Sequence, residues 1–219
     1  MKPVRQVSRL SGLYIILDPA VCPGRSLTDI LTAAAEAGAG IFQYRNKTAS
    51  MRAAYLEGAA LRARTHELGV LFLVNDRCDL ALALEADGVH LGQGDLPVDL
   101  ARKVMGPDRL IGISTHNPDQ VRVANTIEPD YLGFGPIFPS SSKADHDPVV
   151  GIDGLRAMRP LTTLPVFAIG GIQPDRVGEV MQTGADGVAV SSAVLKAKDI
   201  KEAVREFLAR IPPPNSPTS

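Results

Sequence analysis

Short apolar runs recur along the chain with room for one helix between each pair: LYIILD, GIFQYR, LFLVND, GVHLG, LIGIST, YLGFG, PVFAIGG and GVAVSS. These eight runs are rich in Val, Ile and Leu and nearly continuous in apolar character, as strands covered on both faces are. The segments between them have helical periodicity. In residues 50–68, Ala54, Leu61 and Leu68 recur at seven-residue spacing, with Arg and Glu on the remaining surface. Strands alternating with amphipathic helices predict an α/β fold with a parallel sheet, and eight such units predict a closed (β/α)8 TIM barrel in one compact domain. A doubly wound open sheet is the architectural alternative, since periodicity does not encode closure.

The barrel is expected to occupy residues 1–211, followed by a disordered tail at 212–219, where PPPNSPTS has nothing to bury. The chain is short for this fold, so most connections must be lean. The stretch from Pro136 to about Gly151 is an exception. It has three prolines and no helical pattern, as a lid or binding loop would.

Composition narrows the function. With 219 residues and 45% apolar content, the chain can bury a core without staples. A net charge of -1 and a pI near 6.4 give no basic footprint, which argues against nucleic acid, so any anion site must be local. Cys22 and Cys78 have no metal-site or disulfide spacing, no apolar run is long enough to span a membrane, and the N-terminus lacks a signal-like apolar region. A cytoplasmic enzyme is expected, and assembly as a homo-oligomer stays open.

In a barrel, reactive groups sit at the C-terminal strand ends. The second run ends in Gln43, Arg45 and Lys47, which share one parity and so one face while the strand stays extended. A solvated turn explains Lys47 but not a Gln inside an apolar run, and Arg45 could equally pair with an interior carboxylate. The third run ends in Asn75 and Asp76. The fourth leads through His90 and Gln93 to Asp95, 19 positions beyond Asp76. Two carboxylates there suit acid and base, one hard divalent cation, or two helix N-caps, and the neighbouring cations favour the metal. The fifth run ends in Ser114, Thr115 and His116, and the sixth enters Ser140, Ser141, Ser142 and Lys143. Gly170 and Gly171 after the seventh run, with Ser191 and Ser192 after the eighth, suit a phosphate held by backbone N–H groups.

Taken in order, GLYIILD, QYRNK, LFLVNDRCDLAL, ADGVHLGQGDLP, IGISTHN, YLGFGPIFPSSSK, PVFAIGGI and GADGVAVSS resemble the thiamine phosphate synthase (thiamine-phosphate pyrophosphorylase) family over nearly the whole chain. The resemblance implies a transferase that joins 4-amino-5-hydroxymethyl-2-methylpyrimidine diphosphate to 4-methyl-5-(2-phosphoethyl)thiazole. It further implies that Gln43, Arg45, Lys47 and Asn75 contact the pyrimidine diphosphate, that Asp76 and Asp95 hold Mg2+, and that Ser114 and Lys143 contact the diphosphate. Ser140, Ser142, Gly171, Ser191 and Ser192 would meet the thiazole phosphate, and Lys47, Lys143 and Ser114 would carry the catalytic contacts. Two departures stand out: serines at 140 and 142 where the family often has threonine, and Arg77 where many relatives carry a second acid. The rival readings are a thiazole tautomerase with His116 as general base, and a non-catalytic sensor of phosphate ligands. His66 and His90 read as structural or surface residues, and His146 and Asp147 receive no role.

Overall fold

All eight apolar runs form strands, and the strands pair in chain order until the eighth closes on the first. The computed structural model describes residues 7–139 and 148–213. Its strands are β1 (Gly12–Leu17), β2 (Ile41–Tyr44), β3 (Leu71–Asn75), β4 (Gly88–Leu91), β5 (Leu110–Thr115), β6 (Tyr131–Phe134), β7 (Val166–Ile169) and β8 (Gly187–Val190). The helices among the described residues are α1 (Leu27–Glu36), α2 (Met51–Leu68), α3 (Cys78–Ala83), α4 (Val98–Met105), α5 (Pro118–Ile127), α6 (Gly151–Met158), α7 (Val177–Met181), α8 (Ser192–Leu195) and α9 (Ile200–Leu208). Closure through the parallel β1–β8 pair rules out the open sheet.

Local chemistry sets the helix starts. Ser26, Ser50, Asn117 and Asp199 each accept a backbone N–H from the first turn that follows, and Pro118 occupies the first turn of α5, where a missing N–H costs nothing. The seven-residue pattern in α2 holds at Ala54 and Leu61, while Leu68 is only partly buried and Gly58 and Thr65 complete the inner face.

Alternation divides the strand residues between two cores. Leu13, Ile15, Phe42, Phe72, Val74 and Leu132 face outward and join the layer beneath the helices. Tyr14, Ile41, Leu71, Leu73, Leu110, Tyr131, Phe167 and Ala189 fill the barrel interior. The lower rim carries a repeated staple. Asp87, Asp130 and Asp186, each just before an even-numbered strand, accept the backbone N–H of Phe72, Ile111 and Val166 on the preceding strand. Each also meets an arginine: Arg62, Arg102 and Arg159, respectively. These pairs tie neighbouring strands together at the end opposite the mouth, where barrel residues serve stability.

Candidate active site

The C-terminal strand ends enclose one cavity, whose lining includes Asp18, Arg45, Ser114, His116, Gly171 and Ser191. Arg45 pairs with Asp18, the next residue after β1, so the alternative of an interior carboxylate partner holds for this arginine. Asp18 was a missed site residue. It shares the inward parity of Tyr14 and Ile16, and the strand-end rule applied to LYIILD would have found it.

Asp76 and Asp95 converge. Asp76 has φ +63°, in the left-handed region that Asp tolerates better than most residues, and its N–H donates to the His90 carbonyl at 2.8 Å. Lys47 Nζ lies 3.2 Å from Asp76 Oδ2. Asp95 Oδ2 accepts the Gly92 N–H at 2.6 Å. Partial burial pushes the Asp95 carboxyl above its ordinary range; the Gly92 N–H opposes this, and the adjacent Asp76 carboxylate adds to it. Neither acid is an N-cap, since α3 begins after Arg77 and α4 after Pro97. Two hard oxygen donors beside one cation fit Mg2+, which takes one or two carboxylates and completes its shell with water and phosphate oxygens. Among the described residues no larger cluster of metal-ligating side chains exists. Arg77, which follows Asp76, pairs with Asp79 at 2.5 Å.

Across the mouth, β7 and β8 form the other side. Gly170 (φ +100°) and Gly171 (φ +66°) let the segment after β6 lie directly on them: a Cβ on Gly171 would sit 2.5 Å from the Pro139 carbonyl oxygen. Ile137 N–H donates to the Ile169 carbonyl at 2.8 Å and Phe138 N–H to that of Gly170 at 2.9 Å, so the base of the long loop is zipped to β7. Ser191 lines the cavity, and its Oγ is buried with no hydrogen-bond partner among the described residues. A buried hydroxyl without a partner is costly, and a ligand oxygen would satisfy it.

The thiamine monophosphate synthase family model matches residues 13–194, from β1 into α8. This chain belongs to the thiamine monophosphate synthase family. The thiamine-phosphate synthase of Chloroflexus aurantiacus is 45% identical over 199 residues, covering 91% of this chain and 92% of the relative. That of Natronomonas pharaonis is also 45% identical over 199 residues, covering 90% and 92%. The solved thiamine phosphate pyrophosphorylase from Pyrococcus furiosus superposes with a TM-score of 0.83 at 39% identity, covering 92% of this chain and 95% of that one. An (S)-3-O-geranylgeranylglyceryl phosphate synthase from Thermoplasma acidophilum, at 16% identity, 95% and 96% coverage and a TM-score of 0.72, shares the fold alone.

For this member of the thiamine monophosphate synthase family, Arg45, Lys47, Asn75, Asp76, Asp95, Ser114, Gly171, Ser191 and Ser192 all fall at the mouth end of the strands or just beyond them. Ser140, Ser142, Lys143, His146 and Asp147 lie outside the described residues, as does the tail from residue 214. Gln43 sits deeper and is buried, its Nε2 donating to Tyr14 Oη at 2.7 Å. His116 Nδ1 lies 2.7 Å from the Gly135 carbonyl oxygen. His66 is exposed on α2, but His90 points inward between Tyr131 and Ser114. No described helix is long and apolar enough to cross a membrane.

Proposed function

We propose that this chain acts as a thiamine-phosphate synthase, a transferase that joins 4-amino-5-hydroxymethyl-2-methylpyrimidine diphosphate to 4-methyl-5-(2-phosphoethyl)thiazole and releases pyrophosphate. The observation that carries this reading is the Asp76–Asp95 pair beside Lys47, across the mouth from Gly171 and Ser191. One side suits a metal-bound diphosphate and the other a monophosphate. Asp76 and Asp95 would hold Mg2+, which would supply charge neutralisation to the diphosphate oxygens.

The protein's own groups do the rest. Lys47 and Lys143 offset the charge that builds on the diphosphate as the CH2–O bond breaks, and Ser114 donates a hydrogen bond to the same leaving group. The aminopyrimidine ring delocalises the developing cation. Gln43 and Asn75 orient that ring, and Ser140, Ser142, Ser191, Ser192 and the Gly171 backbone hold the thiazole phosphate so that the ring nitrogen stands in line to capture the carbon. The long loop excludes water, which would otherwise trap the cation as the alcohol. No covalent intermediate with the protein is required.

The test is to incubate the protein with both substrates, with and without Mg2+, and follow thiamine phosphate and pyrophosphate. Absence of product with the metal present rejects the reading. Proton transfer on a thiazole phosphate would instead need His116 as base, and it gives Asp76, Asp95 and Lys47 nothing to do, which makes the tautomerase the weaker reading.

A further inference from the structure

Five polar side chains cross the barrel interior in one unbroken line. Gln43 Nε2 lies 2.7 Å from Tyr14 Oη, and Tyr14 Oη lies 3.0 Å from Tyr131 Oη. Tyr131 Oη is 3.0 Å from His90 Nδ1, and His90 Nε2 is 3.0 Å from Ser114 Oγ. The line starts deep in the core and ends at the cavity wall. We propose that this chain is polarised in one direction, fixing His90 as its Nε2–H tautomer, so that the Ser114 hydroxyl hydrogen is always aimed into the cavity; His90 is thus a positioning residue for Ser114.

The direction follows from proton counting. The Gln43 amide nitrogen can only donate, so Tyr14 Oη accepts from it. Tyr14 then has one hydrogen, and its remaining partner among the described residues is Tyr131. Having accepted that hydrogen, Tyr131 donates its own to His90 Nδ1. A nitrogen that accepts carries no proton, so the ring proton sits on Nε2 and is donated to Ser114 Oγ. Ser114 therefore spends its own hydrogen elsewhere. Reversing the line would aim the Tyr14 hydrogen at the Gln43 NH2 group, donor against donor, between two buried side chains.

The surroundings are built for the arrangement. A Cβ on Gly112 would lie 2.1 Å from the Tyr131 ring, and one on Gly133 would lie 3.2 Å from His90 Cε1. Any side chain at 112 would collide with the Tyr131 ring, and one at 133 would press on His90. Phe167 meets Tyr14 and Tyr131 edge-on, with centroids 5.3 and 5.7 Å apart. Burial holds both phenols far above their ordinary range, so they remain the O–H donors the line requires.

The value of Ser114 as a donor rests on the synthase reading, but the tautomer does not, and the experiment separates them. The first arm uses the resting protein without substrate, labelled with 15N at its four histidines. Long-range 1H–15N correlation is expected to show His90 as the Nε2–H tautomer, and Tyr131→Phe, which removes the donor to Nδ1, is expected to mix the two tautomers. An Nδ1–H signature in the unaltered protein overturns the direction, whatever the protein catalyses. The second arm is kinetic. His90→Leu is expected to lower kcat about 10- to 100-fold with little change in KM, the scale of a misplaced group. His90→Gln, whose Nε2 can replace the imidazole donor, should recover most of that loss. In a Ser114→Ala background, His90→Leu should add nothing. Multiplicative losses in the double variant overturn the positioning role, while no turnover by the unaltered protein rejects the synthase reading and leaves the first arm to decide the chain.

Discussion

Replacing Ser191 by Ala should move stability and function in opposite directions. Ser191 Oγ is buried and meets no partner among the described residues. Leaving such a group unsatisfied costs about 1–3 kcal/mol, which Ser191→Ala removes. The variant gives up the packing of one small atom, at most about 0.8 kcal/mol by analogy with a methylene. A net gain of about 1 kcal/mol is expected, which raises Tm by roughly 2–4 °C in a chain of this size. Function should suffer, because a hydrogen bond to a charged phosphate is worth about 1.5–3 kcal/mol. That corresponds to an increase of about 10- to 150-fold in KM for the thiazole phosphate, with kcat and KM for the pyrimidine diphosphate little changed. Thermal unfolding of the ligand-free protein and steady-state kinetics with each substrate varied in turn measure both effects. A lower Tm with an unchanged KM would show that the hydroxyl serves the fold, refuting the phosphate-site argument.

Asp130→Ala probes the opposite rim. It strips the partner from the Ile111 N–H and from Arg102, whose Nη2 lies 2.5 Å from Asp130 Oδ2, and should cost about 3–5 kcal/mol, or roughly 10 °C in Tm, with KM values unchanged at permissive temperature. Asp95 is held above the ordinary carboxylate range by burial and then by Asp76, so it makes no contribution to stability below its unfolded pKa and a destabilising one as pH rises through its folded value. Mg2+ binding needs the ionised form, so the Tm gain on adding Mg2+ should vanish on acidification at a pH above the usual Asp value, and Asp76→Asn should shift the Asp95 titration, followed by carboxyl NMR, downward. Gly171→Ala combines a φ of +66° with a Cβ 2.5 Å from the Pro139 carbonyl oxygen, so it should lower Tm by several degrees, at a cost of about 1–3 kcal/mol, and reduce turnover by displacing the loop base. Lys143→Ala should lower single-turnover rates by about 10² to 10³, the scale of a lost preorganised donor, and normal turnover would remove that lysine from the chemistry.

The barrel was readable because parallel strands buried on both faces leave continuous apolar runs, and because a polar residue inside such a run must have an interior purpose. Gln43 was singled out that way, and the parity it shares with Arg45 is the one the strand keeps. Asp76 and Asp95 were singled out as a pair because one strand-and-helix unit separates neighbouring strand ends. His90 and Tyr131 were not, since a ring in GVHLG or YLGFG looks like core filling. Their meaning lies in the register that sets β4 beside β5 and β5 beside β6, and register leaves no trace in a single segment's periodicity. The N-cap alternative for the two acids failed for a similar reason: the helices begin at residues the sequence pattern fixes only to within a turn. The lower staples did leave a signal, an aspartate immediately before the fourth, sixth and eighth runs, but a repeat of one residue type acquires a role only when the facing arginines are known.

These observations divide the site by rigidity. Asp76, Asp95, Ser114 and Ser191 stand on or beside strand ends whose lower rims are stapled and whose interior is filled by tyrosines and Phe167. Departure of a diphosphate separates charge quickly, and donors that must first reorient cannot stabilise charge at the moment it appears. Fixed strands meet that demand, and a hydrogen-bond line that sets Ser114 before substrate arrives extends it to a hydroxyl that would otherwise rotate freely. The Gly171 side of the cavity is held in the same way, with Ile137 and Phe138 zipped to β7 and the Val150 N–H donating to the Pro136 carbonyl at 2.9 Å, so groups on that side also start from fixed backbone.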